Sequence, residues 1–268
     1  MTLGLFDLSG RVALVTGAGA GIGRAIANAL ADAGADLLIC DIDDAGMADT
    51  AARIEARGRK AFGVHCDVSL KEERDALFAE LDTRYGRIDI LVNNVGHLRR
   101  GRPEDLAYDD LDFTLRTGVL ASFSCAQEAA RRMIASGHGG SIINISSIAG
   151  ASALGRGNFT HSANKGAVNQ MTKELAVEWA HYGIRVNAIL PCQVLTEGFK
   201  TWMASDTFDD ALHERMLGGI PMNRMATPEE IAGPVVFLAS DAAAMVTGTL
   251  LAVDGGNLAL NAGGSHTW

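Results

Sequence analysis

Short apolar runs alternate along the chain with longer segments in which apolar residues recur every three or four positions. The apolar runs are bounded by turn-forming residues and predict seven strands: RVALVTG, DLLICD, AFGVHCDV, IDILVNN, GSIINIS, IRVNAIL and TLLAVDGG. The periodic segments predict six helices, over residues 21–33, 45–57, 70–85, 108–135, 162–181 and 228–239. Strands that are apolar throughout are typical of a parallel sheet covered by helices on both faces, so the pattern predicts a doubly wound α/β fold.

No repeat, low-complexity tract or linker divides this pattern, and we therefore expect a single domain over residues 1–268. The alternation is interrupted at about 195–228, where the sequence predicts one or two helices outside the sheet. A long insertion after a strand often covers a ligand, so this segment is interpreted as a substrate lid. A packing excursion or a subunit contact is the alternative interpretation.

The composition is that of a globular protein with a sizeable core, because 48% of the 268 residues are hydrophobic and 21% are charged. The net charge of −9 argues against a nucleic-acid-binding protein, which is normally basic, and is explained by solubility. No apolar run approaches the length of a membrane-spanning helix, and the first residues lack the basic flank of a signal peptide. We therefore expect neither a nucleic-acid nor a membrane partner.

The four cysteines are far apart, and three of them lie in apolar surroundings, as free thiols do: Cys40, Cys66, Cys125 and Cys192. This usage favours the reducing cytoplasm. The seven histidines show no paired-ligand spacing, so the sequence predicts no metal site.

Four glycines, Gly17, Gly19, Gly21 and Gly23, lie between the first predicted strand and the first helix. Without side chains, a backbone at this place can approach a pyrophosphate, and the helix N-terminus supplies free N–H groups and partial positive charge. Asp41 ends the second strand, where a carboxylate accepts hydrogen bonds from an adenosine ribose and repels a 2′-phosphate. These residues predict a bound dinucleotide, with NAD(H) preferred over NADP(H). A surface Asp that caps the next helix is the alternative for Asp41.

Six motifs follow one another in a familiar order: TGAGAGIG at 16–23, CDV at 66–68, NNVG at 93–96, INISS at 143–147, H-x-x-x-K at 161–165 and VDGG at 253–256. Together they resemble the short-chain dehydrogenase/reductase family over about residues 8–256. The resemblance implies a Rossmann-type single domain that binds a nicotinamide cofactor.

The resemblance also assigns cofactor contacts by position. It implies that Gly17, Gly21 and Ile22 hold the pyrophosphate and that Asp41 holds the adenosine ribose. It implies further contacts with the adenine, the cofactor cleft and the nicotinamide carboxamide, from Asp67 and Val68, from Asn93 and Gly96, and from Pro191, Val194 and Thr196.

The chemistry of the family uses an Asn, a Ser, a Tyr and a Lys. In this chain Ser147 and Lys165 match, whereas the Tyr position is occupied by His161 and the Asn position by Gly118. The resemblance implies that Lys165 also holds the nicotinamide ribose. Two of the four catalytic positions have therefore changed.

His161 is a competent acid–base group, since imidazole has an ordinary pKa near 6.5. Its side chain is shorter than that of tyrosine, so a water or a shifted substrate is needed to close the gap. The charge of Lys165 destabilises imidazolium and lowers the pKa of His161. A neutral His161 suits alcohol oxidation as a base and is a weakened acid for ketone reduction.

Three functions are compatible with these residues. The first is an NAD-dependent oxidoreductase that interconverts a secondary alcohol and a ketone, with His161 and Ser147 at work. The second is a silent or weakly active subunit that assembles with an active partner. The third is different chemistry on the same scaffold, such as dehydration or hydrolysis with His161 as base.

The resemblance implies a substrate-facing loop after the fourth strand, which here carries Arg99, Arg100 and Arg102, and Arg156 lies in the loop just before His161. Guanidinium groups bind carboxylate and phosphate in a bidentate fashion, so an anionic substrate is one interpretation and an exposed loop or a subunit contact the other. The resemblance also implies a homotetramer or homodimer formed through the helices at 108–135 and 162–181, or a hetero-oligomer with a related active subunit. Trp268, at the chain end, is a candidate anchor on a neighbouring subunit.

Overall fold

Seven parallel strands form a single sheet in the order β3-β2-β1-β4-β5-β6-β7. The computed structural model describes residues 2–205 and 208–261, so Trp268 lies outside the described residues. The strands are β1 Val12–Thr16, β2 Asp36–Asp41, β3 Ala61–His65, β4 Ile90–Asn93, β5 Gly140–Ile145, β6 Ile184–Pro191 and β7 Leu250–Val253. All seven predicted strands are confirmed, and so is the doubly wound α/β fold.

Successive residues of the central strands pack into two separate hydrophobic cores, one on each face of the sheet, which explains why these strands are apolar throughout. Ala13 and Val15 of β1 pack in a cluster with the helices of one face, whereas Leu14 packs in a second cluster on the other face. Every residue of β1 is buried as a result.

The described part of the chain contains nine α-helices: α1 Gly21–Asp32, α2 Asp44–Glu55, α3 Lys71–Arg84, α4 Tyr108–Leu115, α5 Ala121–Ser136, α6 Phe159–Trp179, α7 Glu197–Met203, α8 Asp210–Gly218 and α9 Pro228–Ala239. Two of the predicted helices differ from those observed. The helix predicted over 108–135 contains a π-helical turn, Arg116–Leu120, between α4 and α5. The helix predicted from residue 162 begins at Phe159, and the Ser162 amide already donates to the carbonyl of Asn158.

The early start of α6 has a visible cause in the neighbouring loop. The Thr160 hydroxyl is buried and donates to the carbonyl of Arg99 at 2.7 Å, which holds the first turn against that loop. His161 therefore lies inside the first turn of α6 rather than before it.

The segment predicted as an insertion leaves the sheet after β6 and returns to nearly the same point. The Leu195 amide donates to Ala226 at 2.8 Å, and the Ala226 amide donates to Gln193 at 3.0 Å. Helices α7 and α8 lie between these two bonds, outside the sheet, and residues 206 and 207 lie outside the described residues.

The carboxyl ends of the parallel strands meet at one edge of the sheet. Strands β1 and β4 are neighbours whose connections run to opposite sides, which opens a crevice between their ends. Among the described residues, no helix combines the length and the apolar character needed to cross a bilayer.

Candidate functional site

A turn of close-packed glycines connects β1 to α1 at the crevice. Gly17 and Gly21 have positive φ values, 65° and 52°, which favour glycine. A Cβ atom on Gly23 would lie 2.0 Å from the carbonyl oxygen of Gly17, so the turn has no room for a side chain there. The backbone amides at the start of α1 therefore face the crevice directly.

Asp41 connects the end of β2 to this turn. One carboxylate oxygen accepts a hydrogen bond from the Gly19 amide at 2.7 Å, and the other accepts from the Asp43 amide at 3.0 Å. The side chain borders a first cavity of about 350 Å³, whose other predicted lining residues are Gly17, Asp67, Val68 and Gly96.

The side chains of Asn93, the last residue of β4, and of Asn94, which follows it, point to different places. Asn93 is buried, and its side chain donates to Asn144 Oδ1 at 3.0 Å and to the carbonyl of Ser122 at 3.1 Å. Asn94 lines the first cavity instead and donates to the carbonyls of Thr16 and Gly17. The expectation that Asn93 faces the cleft is corrected accordingly, because its side chain is held in the interior by Asn144 and Ser122.

A second cavity of about 310 Å³ adjoins the turn at Ile22. Among its lining residues are Ser147, His161, Pro191, Val194 and Thr196, all of which the sequence had singled out. Gln193 also lines it, and its side-chain oxygen is buried without a hydrogen-bond partner among the described residues. The base of the insertion reaches the glycine turn, because a Cβ on Gly21 would lie 3.1 Å from Thr196 Cγ2.

The residues of the two cavities fit a dinucleotide. The glycine turn offers free amides at the N-terminus of α1, Asp41 offers a carboxylate at the far end, and Gln193 offers an unused acceptor at the near end. The described residues contain no group of three or more His, Cys, Asp or Glu side chains placed to hold a metal ion.

Lys165 is buried one helical turn after His161, and its ammonium donates to the carbonyl of Ile145 at 2.7 Å. A Cβ on Gly96 would lie 3.1 Å from the ammonium nitrogen, so Lys165 also reaches the edge of the first cavity. Burial lowers the pKa of Lys165 to about 8, which leaves it charged at pH 7.

The pKa of His161 is lowered to about 4. Burial is the largest cause, and the positive charges of Lys165 and Arg100 add to it. The imidazole is therefore neutral at pH 7, as the sequence predicted from Lys165 alone. It makes no hydrogen bond to any described residue and faces the second cavity.

Ser147 begins the turn after β5, and its hydroxyl oxygen accepts from the Ala149 amide at 3.1 Å. This turn packs directly on α6, because a Cβ on Gly150 would lie 2.5 Å from the carbonyl oxygen of Lys165. The contact sets the position of Ser147 relative to the helix that carries His161.

Two arginines line the second cavity, and a third lies near one of them. Arg100 and Arg156 line it, and the pKa of Arg156 is lowered by partial burial and by the charges of Arg100 and Arg215. Arg100, Arg156 and Arg215 form no ion pair with a described residue. The Arg100 guanidinium stacks on the ring of Trp202 at 4.4 Å from the centroid.

The loops that carry Arg100 and Arg156 are joined by their backbones. The Gly101 amide donates to the carbonyl of Gly157 at 3.2 Å. Arg156 has a φ of 58°, in the left-handed region that costs a non-glycine residue on the order of 1 kcal/mol. The fold therefore holds the backbone of Arg156, beside the second cavity, in a conformation that costs some stability.

Arg99 is directed elsewhere. Its guanidinium lies 3.8 Å from Asp110 and over the ring of Phe113, at 4.4 Å from the centroid. It lines an open groove beside the second cavity rather than the cavity itself. Sequence proximity to Arg100 suggested a shared role, but consecutive loop residues point in different directions.

Sequence reasoning missed three residues of the site. Asn94 was not predicted because the neighbouring Asn93 was assigned to the cleft in its place. Gln193 was not predicted, although it lies between Pro191 and Val194, which were predicted as cofactor contacts. Arg215 is far along the chain in α8, and no local pattern connects it with Arg100.

Comparison with known protein families finds one matching model, described as Enoyl-(Acyl carrier protein) reductase, over residues 17–257. A D-threitol dehydrogenase of Mycolicibacterium smegmatis is 43% identical over 94% of each chain. Further relatives are named as an NAD-dependent glycerol dehydrogenase, an L-rhamnose 1-dehydrogenase (NAD(P)(+)) and a 2-dehydro-3-deoxy-D-gluconate 5-dehydrogenase.

Two solved structures are similar over nearly the whole chain. A short-chain type dehydrogenase/reductase from Mycobacterium marinum has a TM-score of 0.88 at 34% identity, over 96% of this chain and 99% of that one. A gluconate 5-dehydrogenase from Burkholderia cenocepacia, in complex with NADP and tartrate, has a TM-score of 0.90 at 36% identity, over 97% and 100%.

Proposed function

Because this chain belongs to the short-chain dehydrogenase/reductase family, we propose that it is an NAD(H)-dependent oxidoreductase that interconverts a secondary alcohol and a ketone. One observation carries the proposal: His161 and Ser147 line the same cavity, and Lys165 lies one turn after His161 on the same helix. Relatives named as dehydrogenases of polyols and sugar acids support the same reaction.

In this proposal the cofactor spans both cavities. A bound cofactor would have its pyrophosphate held by the glycine turn, its adenosine by residues of the first cavity and its nicotinamide by residues of the second. The contacts proposed are Gly17, Gly21 and Ile22 for the pyrophosphate, Asp41 for the ribose, Asp67 and Val68 for the adenine, Asn94 and Gly96 along the cleft, Lys165 for the second ribose, and Pro191, Val194 and Thr196 for the carboxamide.

The chain's own residues handle the proton. A bound oxidised nicotinamide supplies the acceptor for the hydride that leaves the carbinol carbon. Ser147 holds the substrate oxygen through its hydroxyl, and His161 takes the proton from that oxygen as the carbonyl forms. The buried charge of Lys165 stabilises negative charge that develops on the oxygen.

The lowered pKa of His161 determines which protonation state of the imidazole is available to each direction of the reaction. At pH 7 the imidazole is neutral and ready to accept a proton, whereas the imidazolium needed for ketone reduction is a minor form. Alcohol oxidation is therefore the direction that this site supports better.

The preference for NAD(H) rests on Asp41. A carboxylate beside the ribose accepts bonds from both hydroxyls and repels a 2′-phosphate. Similar proteins include one named as NAD-dependent and one solved with NADP, so the proposed preference is supported by Asp41 alone.

The substrate is proposed to carry a carboxylate or a phosphate. Arg100 and Arg156 line the second cavity, Arg215 adds a third positive charge near Arg156, and none of the three is paired with a described carboxylate. An oxyanion is the ligand that guanidinium groups bind best, and tartrate accompanies NADP in one similar structure. A sugar acid, with hydroxyls for oxidation and a carboxylate for the arginines, meets both requirements.

The insertion at about 195–228 is proposed as the lid over this substrate, within a single domain. Its α7 carries Phe199, which lines the second cavity, and Trp202, which lies against Arg100, and its α8 carries Arg215. The free cysteines favour a cytoplasmic protein.

The first prediction concerns His161. Replacing it by glutamine removes the proton acceptor, and we expect kcat for alcohol oxidation to fall by about 10²–10⁴-fold. NADH affinity, measured by fluorescence titration, should stay within about threefold of the original. Turnover that survives the change would exclude His161 as the base, and NADH binding by an original protein without turnover would indicate a silent subunit.

The second prediction concerns pH. Between pH 6 and 7.5 the rate of oxidation should be nearly constant, because His161 stays neutral above its pKa of about 4. The rate of ketone reduction should fall by about tenfold per pH unit, since the imidazolium fraction does so. Parallel profiles for the two directions would contradict this assignment.

The third prediction separates the two cofactors. Asp41→Asn keeps an oxygen acceptor but removes the charge, so the ratio of NADPH to NADH affinity should rise by about tenfold or more. The control is Asp44→Ala, which removes a nearby exposed carboxylate paired with His65. An equal ratio in both variants would show that Asp41 does not select the cofactor.

The fourth prediction tests the anion. Gluconate and sorbitol have matched six-carbon chains, and they differ at the carboxylate. Arg156→Asn should lower kcat/KM for gluconate by about tenfold or more and leave sorbitol within about twofold, and asparagine tolerates the left-handed backbone at this position. Arg102→Gln, in the neighbouring loop, is the control. Equal effects on both substrates would refute the anion subsite.

The fifth prediction concerns assembly as a homodimer or homotetramer, with a hetero-oligomer as the alternative. The π turn, α5 and α6 expose Leu120, Phe123 and Val177, the last with 77% of its surface accessible. Light scattering should give the mass of an oligomer, and Val177→Asp should lower it. Leu70→Asp, an equally polar change at the start of α3, should leave the mass unchanged.

A further inference from the structure

A carboxamide on α6 occupies the space beside the π turn. Asn164 is fully buried, and its side-chain oxygen accepts a hydrogen bond from the Val119 amide at 2.8 Å. Its side-chain nitrogen is also buried and has no hydrogen-bond partner among the described residues. The side chain thus connects the catalytic helix to the α4–α5 helix by one bond and leaves two N–H groups unused.

The π turn explains why an amide is available at residue 119. In this turn the Ala121 amide reaches back to the carbonyl of Arg116, five residues earlier, as well as to that of Gly118. The regular ladder is broken there, and the Asn164 oxygen supplies the acceptor for Val119.

Gly118 and Asn164 exclude each other's side chains. A Cβ on Gly118 would lie 2.1 Å from Asn164 Nδ2 and 2.3 Å from Asn164 Oδ1. Gly118 does not have a positive φ, so its backbone does not require glycine. What it lacks is room, because the carboxamide from the neighbouring helix already fills the place of its side chain.

We propose that Asn164 is a positioning residue of this active site, and that it supplies from α6 the carboxamide for which position 118 has no space. The proposal rests on the proposed function. Asn164 lies between His161 and Lys165 in the sequence. Its bond to Val119 therefore fixes the position along the helix axis, and the rotation about that axis, of the turn that carries both side chains.

The polarity of Asn164 argues against a role in packing alone. A buried N–H group without a partner is destabilising, and an apolar side chain of similar volume would avoid that cost. The structure keeps the carboxamide at the point where the helix of His161 meets a break in the adjacent helix. Placement errors of about 1 Å can lower a rate by about 10²-fold, which makes such an anchor effective.

The test is a cycle of four proteins: the original, Asn164→Ala, Gly118→Asn, and the double variant. Each single change should lower kcat by about 30-fold or more, the first by loosening α6 and the second by collision. The double variant restores one carboxamide in the shared space. It should recover kcat to within about tenfold of the original and melt at a higher temperature than either single variant.

Asn187→Ala is the matched control. Asn187 is also a fully buried carboxamide that accepts from a backbone amide, that of Thr249 at 3.1 Å, but it lies in β6 away from His161. We expect a comparable fall in melting temperature, of about 5 °C, with kcat within about twofold.

Two results would overturn the proposal. The first is an Asn164→Ala variant that melts like the control and also keeps kcat within threefold, which would leave Asn164 a structural role only. The second is a double variant no better than the sum of its single changes, which would refute the shared space. Should the original protein lack turnover, the proposed function fails separately. Melting temperatures then test the shared space, and the positioning role requires Asn164→Ala to weaken NADH binding more than Asn187→Ala.

Discussion

The attachment of α6 to the end of β5 is the constraint on which the rest of the site depends. The ammonium of Lys165 donates to the carbonyl of Ile145, and the Ser146 hydroxyl donates to the side-chain oxygen of Asn169 at 2.6 Å. The turn that begins at Ser147 packs on the backbone of the same helix through Gly150. A strand end, a turn and a helix thereby form one rigid unit. Because the parallel strands all end at this edge, the unit lies at the crevice, where Ser147 and His161 line the second cavity and Lys165 reaches the edge of the first.

Positive charge is concentrated around the second cavity, although the chain as a whole is negatively charged. The protein carries a net charge of −9, yet Lys165 and the arginines around the second cavity are all positive. Burial and mutual repulsion together lower the pKa values of His161 and Arg156. A carboxylate seated against Arg100 would oppose part of that repulsion and raise the pKa of His161. In the proposed function, an anionic substrate would thus also make His161 a stronger base, and recognition and proton transfer would be coupled through the same charges.

Much of this fold follows from local patterns, and much of the site does not. The strands, the glycine turn and Asp41 were predictable because apolar runs, glycine spacing and a carboxylate at the end of a strand are local sequence patterns. The first turn of α6 began earlier than predicted because Thr160 is held by a carbonyl of another loop. Arg215 and Asn164 could not be assigned, since their roles depend on which elements become neighbours. Arg99 shows the converse, because a residue next to Arg100 in sequence is held on a different surface by Asp110.

The mutual exclusion of side chains at positions 118 and 164 also limits how such a sequence can change over time. A chain with carboxamides at both positions has no room for them, whereas a chain with small residues at both has only an unfilled space. Unfilled space is a graded loss of stability, but overlap with a buried side chain forces neighbouring backbone to move. A carboxamide can therefore pass from one helix to the other by single substitutions only if the old one is lost first. The order of the two replacements is dictated by geometry, and any intermediate form must tolerate the loss of the bond between α6 and Val119 until the second replacement arrives.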